Sequence, residues 1–356
     1  MNNVQAAQHH YVEKVVPFLA GDGMALNLIN VRNPDNISKG PVILVHGAGV
    51  RANIYRAPVK TTIVDALIEE GYDVWLENWR ASIDLKASKW TLDQAAVYDH
   101  PAAVNKILQE TGATSLKAII HCQGSTSFAM SAVAGLVPAV HTIVSNAVSL
   151  HPIVPAWSAT KLRFMVPLVA KLTDYLNPQW GLHAPTLIAK SLRLLVNLSH
   201  HECDNPVCKQ VSFVYGSGCP ALWRHENINA ETHAWLQQEF AEVPMLFFKQ
   251  IRECVQQGFL SSVDNFSQLP HSFVGQAPKT DARFAFLAGE KTYVFCQKAK
   301  SKATLLCANI LTKPIACTFF QSTATSMFLW VKMQREIRSP QSWLNWLCID
   351  VNVNQQ

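Results

Sequence analysis

The residues with the clearest chemical potential are His121-Cys122-Gln123-Gly124-Ser125, which follow directly on the apolar run LKAII. Attack on an acyl carbonyl needs a nucleophile held clear of the backbone, and a sharp strand-to-helix turn does this. The usual form is G-x-S-x-G, in which small residues let the helix pass close to the strand. Cys122 occupies the nucleophile position two residues before Gly124, and Ile120 stands where the first small residue is usual. A second segment, His46-Gly47-Ala48-Gly49, ends the earlier run PVILV. A loop in that place gives one backbone N–H to an oxyanion hole, and the residue after the nucleophile gives the other. Ala48 and Gln123 are therefore the expected donors, with Gly47, Gly49 and Gly124 setting loop and elbow geometry. The two elements lie about 75 positions apart in the right strand order, and together they specify far more than either does alone.

A cysteine at a strand end is ordinarily a packing residue. At an elbow the geometry favours exposure, and the helix N-terminus behind the sulfur is expected to lower the thiol pKa. Ser125 is the other nucleophile to weigh, but it falls inside the helix, where it caps or packs. His46 and His121 are each tied to a strand end and are expected to orient loops. Tyr98-Asp99-His100 has the residue types of a triad fragment and is better explained as a helix start, with Asp99 as N-cap and Pro101 in the first turn. A last cluster is His200-His201-Glu202-Cys203-Asp204-Asn205-Pro206-Val207-Cys208. Its C-x4-C could bind a metal with neighbouring His, yet it lacks the H-x3–5-H half of a zinc pattern. It reads as a polar turn with both thiols packed inward, so neither a metal nor a cofactor is expected.

These residues need a scaffold. VVPFLAGDGMALNLINV has the Gly-Asp-Gly of a hairpin between alternating runs. PVILVH, Tyr72–Leu76, LKAIIH and 141–150 are apolar runs of the kind that form strands buried on both faces. Helical patterns separate them at Thr61–Glu70, from Asp99 to Gly112, and over Ser125–Val137. The alternation predicts a mostly parallel, doubly wound α/β sheet opened by an antiparallel hairpin. Its first part covers 13–151. From 152 to 280 helical patterns dominate and read as a cap insertion, and a core strand resumes at 281–291. Within the insertion, LIAKSLRLLVNL is interrupted by Lys190 and Arg193 and reads as an amphipathic helix.

Composition narrows the function. Residues 1–291 hold 23 Lys/Arg and 23 Asp/Glu, so the net charge of +5 resides in 292–356, and no nucleic-acid footprint is expected. The first residues lack an apolar leader and no run is long enough to span a bilayer. Nine cysteines, one of them in a thiol motif, make a reduced, cytoplasmic protein the expectation.

HGAG, WRASIDL (79–85), YDHPAAV (98–104), HCQGS and TDARFAFLAGEK (280–291) together resemble the α/β-hydrolase module associated with cholesterol-oxidase-like, glucose-methanol-choline type oxidoreductases. The resemblance covers about 13–291. It implies the α/β-hydrolase fold, a Cys-type elbow similar to that of dienelactone hydrolase, and a small apolar ester, lactone or other acyl substrate. It also implies a possible association with a flavin oxidoreductase. The alternative is a non-catalytic module of the same fold that binds a lipid-like ligand or that oxidoreductase.

A hydrolase of this kind takes its catalytic His from the loop after the last strand. Residues 292–356 contain none of the 13 His and none of the 15 Gly. The resemblance implies a tail with CFLPESQ and later HLDxFxGKNA. Joining the last base of each codon to the first two of the next turns Phe295–Cys296 into Leu, Cys296–Gln297 into Pro or Ser, Gln297–Lys298 into Glu or Lys and Lys298–Ala299 into Ser or Gly. Trp330–Val331 becomes Gly, Lys332–Met333 Asn or Asp, and Met333–Gln334 Ala. The stretch from about Thr292 is therefore expected to be an out-of-frame translation that replaces the last core elements. The shifted frame allows His at Ala324–Thr325; the chain as written lacks it and is expected to be impaired. The acid is unassigned, Glu290 being one option.

Overall fold

The computed structural model describes residues 11–275, 277–289 and 320–322. Its centre is an eight-stranded sheet built from β1 (Val12–Leu19), β2 (Ala25–Arg32), β3 (Pro41–Val45), β4 (Asp73–Asn78), β5 (Leu116–His121), β6 (Val140–Asn146), β9 (Arg283–Gly289) and β10 (Phe320–Ser322). The order is β1-β2-β4-β3-β5-β6-β9-β10. β1/β2 and β2/β4 are antiparallel and every later pairing is parallel. β3 is thus the point where the winding reverses: the chain leaves it toward β4 on one side and returns to β5 on the other. Ligands of open α/β sheets bind at such a reversal, beyond the carboxyl ends of the strands. The HGAG and HCQG segments both begin there.

The apolar runs fill two cores. Ile43, Val45, Ala118, Ile120 and Ile143 pack on one face of the sheet, and Val42, Leu44, Ile119 and Val144 on the other. This period of two, apolar at every position, is what a strand covered on both sides requires. Helix α1 (Ile63–Glu69) starts at a capping box made by Thr62 and Asp65. Helix α3 (Cys122–Val133) follows β5 without a spacer.

The helix between β4 and β5 corrects the sequence reading. It begins at the capping box of Thr91 and Gln94 and runs over 92–111 (α2), with a π turn at Ala95–Asp99. Asp99 makes no capping bond. Its buried carboxylate takes Arg80 instead, with Nη2 to Oδ1 at 2.6 Å and Nε at 2.9 Å from Oδ2. The π turn lets the helix pass Pro101, whose missing N–H would otherwise break the ladder.

Between β6 and β9 the chain is mainly helical. It contains α4 (156–169), α5 (Leu187–Ser199), α6 (Pro206–Tyr215), α7 (Ala230–Trp235) and α8 (Met245–Gln257). β7 (Tyr175–Leu176) and β8 (Val243–Pro244) form a small antiparallel pair. Arg51, from the loop after β3, binds Glu239 of this segment at 2.7 Å, and Glu239 is fully buried. Among the described residues no helix is long and apolar enough to cross a membrane.

β10 pairs with β9 in parallel, so three residues of the segment expected to replace the last core elements extend the sheet. The frame argument, Glu290 and the site of the shifted His codon lie outside the described residues.

Candidate functional site

Cys122 stands at the strand-to-helix junction with φ +55°. This is a left-handed conformation that a non-glycine residue holds only when its surroundings enforce it. The enforcement comes from two close approaches. A Cβ on Gly124 would lie 2.0 Å from the carbonyl oxygen of His46, so only glycine lets α3 pass the end of β3. A Cβ on Gly47 would sit 3.0 Å from Cys122 Cβ and 3.4 Å from its Sγ. The two signature loops are therefore in direct contact. Trp79 Nε1 donates to the His46 carbonyl at 2.9 Å and Tyr55 Oη to the Val45 carbonyl at 2.6 Å, fixing the end of β3.

The loop is also bonded to the helical segment. Tyr215 Oη donates to the Ala48 carbonyl at 2.9 Å, and the Ala241 amide donates to the Gly49 carbonyl at 3.1 Å. Cys122 opens on an apolar pocket whose free space is about 1070 Å³, its mouth included. Gly47, Ala48 and Gln123 line one side, and Lys161, Tyr215, Trp223, Phe240 and Phe248 line the other.

Electrostatics depart from the sequence expectation. Burial pushes the Cys122 thiol up to about 11, with the Gln123 N–H acting weakly in the opposite direction. Desolvation of the thiolate outweighs the helix end, so a base is needed at neutral pH. Iodoacetamide alkylation of Cys122 should accordingly rise about tenfold per pH unit between about pH 7 and 10. A rate that levels off by about pH 9.5, one unit above the pKa of an unperturbed thiol, would contradict this.

Burial makes both nearby imidazoles weak bases. Burial holds His46 down to about 3 and His121 to about 4, so both are neutral. His46 Nδ1 donates to the Gly47 carbonyl at 2.6 Å, and Asn146 Nδ2 donates to His121 Nδ1 at 3.1 Å. Ser125 is buried with its Oγ 2.7 Å from Ser145 Oγ, away from the pocket.

The sequence reading missed three neighbours of the site. Lys161 lines the pocket, donates to the carbonyls of Phe213 and Gly216, and is lowered to about 7 by burial. Ala147, at the end of β6, also has a positive φ of 60°. The third is His100, expected only near a helix start. It is fully buried, with Nδ1 3.0 Å from both Glu77 carboxylate oxygens and Nε2 2.8 Å from Ser127 Oγ. Ser127 lies in turn 3.2 Å from the Gln123 carbonyl. Glu77, His100 and Ser127 have the order of a catalytic triad but none of its access, each being 0% exposed. They brace the first turn of α3 from behind.

In shape the chain is similar to the epoxide hydrolase VrEH1 of Vigna radiata, at 10% identity and TM-score 0.55, over 94% of this chain and 98% of that one. It is likewise similar to the esterase EaEST of Exiguobacterium antarcticum, at 11% identity and TM-score 0.52, over 94% and 100%. The chain has the α/β-hydrolase fold. No family model matches it. In sequence the chain is similar to sterol esterase 2 of Saccharomyces cerevisiae, 28% identical over 131 residues, covering 32% of this chain and 24% of that protein. It is also similar to gastric triacylglycerol lipase of Rattus norvegicus, 31% identical over 122 residues, covering 30% and 31%. The matched stretch thus spans about a quarter to a third of these curated relatives.

Proposed function

We propose that the protein hydrolyses an apolar ester, lactone or related acyl substrate, with Cys122 as nucleophile. The observation that carries this is the left-handed Cys122 at the junction of β5 and α3, in contact with the Gly47 loop and opening on an apolar pocket. The relatives support the substrate class, being a sterol esterase and a triacylglycerol lipase. In this reading the thiol proton passes to a base as Sγ bonds to the acyl carbon. The amides of Ala48 and Gln123 hold the oxyanion. The alcohol leaves with the proton, and water then cleaves the thioester, regenerating the thiol. Segment 152–280 acts as the cap that shapes the acyl pocket. Exposed Leu187, Leu194 and Leu198 on α5 and Phe164 and Leu168 on α4 give it an outward apolar surface suited to a lipid-like substrate.

No described histidine serves as the base, and the tail reading supplies the reason: the segment expected to carry it is translated out of frame from about Thr292. The experiment is labelling with an acylating β-lactone probe. Cys122 is expected to be the acylated residue and Cys122→Ala to abolish the adduct. Undiminished labelling of Cys122→Ala would overturn the assignment. A non-catalytic module, with or without a flavin oxidoreductase partner, would bind the probe's acyl chain without forming any adduct.

A further inference from the structure

A second cluster lies in the helical segment, apart from the nucleophile elbow. Cys203 follows α5, Cys208 sits in the first turn of α6, His225 opens a short 3-10 turn, and His233 is on α7. The ligand-type atoms of all four lie within 4.8 Å of one another. Cys208 Sγ is 3.4 Å from His225 Nε2, and the His225 and His233 rings cross at 84° with centroids 4.9 Å apart. Nε2 of His233 is buried without a hydrogen-bond partner, an arrangement that is costly unless something else meets that nitrogen. Neither histidine just before Cys203 in sequence belongs to the group of four. His200 bonds the Gly218 carbonyl through Nδ1 at 2.8 Å and touches only Cys203 Sγ through Nε2, at 3.8 Å, and exposed His201 bonds the Leu198 carbonyl at 3.0 Å.

We propose that Cys203, Cys208, His225 and His233 bind one zinc ion as a closed structural site. Zinc takes Cys2His2 tetrahedrally with Zn–S about 2.3 Å and Zn–N about 2.0 Å, so ligand atoms stand about 3.3–3.8 Å apart. The cluster already has one such edge and needs the others drawn in by at most roughly 1 Å. Two thiolates with two imidazoles suit zinc above the harder divalent ions. Four protein ligands leave no open position for substrate, which makes the site structural.

Local structure prepares it. Asn205 caps α6, accepting from the Val207 and Cys208 amides at 3.1 and 3.0 Å, while its Nδ2 donates to the His233 carbonyl at 2.6 Å. One side chain thus fixes the backbone of two ligands.

The ion would fasten the end of α5, α6, the 225 turn and α7 around Val207, Val211, Trp223, Leu236 and Phe240. Trp223 and Phe240 also line the Cys122 pocket. Cys208 and Tyr215 sit on one helix, about 10 Å apart along its axis. The metal therefore fixes a pocket wall without touching the reacting atoms, and the proposal stands whether or not Cys122 is a nucleophile.

The test uses the full chain, metal-depleted and then reloaded with zinc or cobalt. One zinc per chain is expected by mass spectrometry. The cobalt form should show tetrahedral ligand-field bands with thiolate charge transfer, absent in Cys208→Ser and His233→Ala and retained in His201→Ala. Should those variants fail to fold, the parent chain decides: a chelator must release the zinc and expose two thiols to Ellman's reagent together. Substoichiometric zinc that protects no thiol would overturn the proposal. So would a Cys203–Cys208 disulfide in protein isolated under reducing conditions, or a cobalt spectrum unchanged in folded variants.

Discussion

Replacing His100 by Ala is expected to lower folding stability by about 1–3 kcal/mol, the usual cost of leaving a buried hydrogen-bonding group without its partner. Glu77 is 0% exposed, and His100 Nδ1 lies 3.0 Å from both of its carboxylate oxygens. Without the imidazole the buried Glu77 carboxyl loses that hydrogen-bond partner. Urea unfolding of His100→Ala, Glu77→Leu and the double variant measures the coupling. The double variant should be less destabilised than the sum of the singles, because the unpartnered polar group has gone with its partner. Additive effects would show that the pair does not act as a unit. The same substitution also removes the group behind Ser127, and so loosens the turn that presents Gln123.

On the proposal that the tail is out of frame, shifting the frame near codon 292 is expected to raise turnover of a short-chain aryl ester by about 10²–10⁴-fold, the usual worth of a positioned general base. The chain as written has every His before Thr292, and burial keeps the Cys122 thiol protonated at neutral pH. A nucleophile in that condition depends on a partner to take its proton. The gain should be lost again on Cys122→Ala in the repaired chain. Equal rates for the two chains, both dependent on Cys122, would place the base among residues before 292 and end the tail argument.

The parts of this molecule that were readable in the sequence are those whose cause is local. PVILV and LKAII are apolar at every position, and only a strand covered on both faces needs that. The elbow was readable for the same reason, since the contact of Gly124 with the His46 carbonyl leaves no choice of residue. The start of α2 was misread because Asp99-His100-Pro101 imitates a cap. The true start, Thr91-Leu92-Asp93-Gln94, became decisive only through the burial of Leu92 and Ala95. The thiol was misread because dipole and desolvation act in opposite directions and only a packed environment ranks them. The Cys203 and Cys208 pair was visible as C-x4-C, but His225 and His233 follow on separate turns with seven residues between them. Tertiary folding alone brings those four together.

The bonds from Tyr215 to Ala48 and from Ala241 to Gly49 bear on how such an enzyme would select its substrates. They make the roof of the pocket and the amide loop beside Cys122 a single mechanical part. A substrate bulky enough to lift Tyr215 on entry also pulls on the loop that must steady the negative oxygen. Size discrimination then appears in kcat as well as in KM, because the misfit is felt most strongly where transition-state contacts are made.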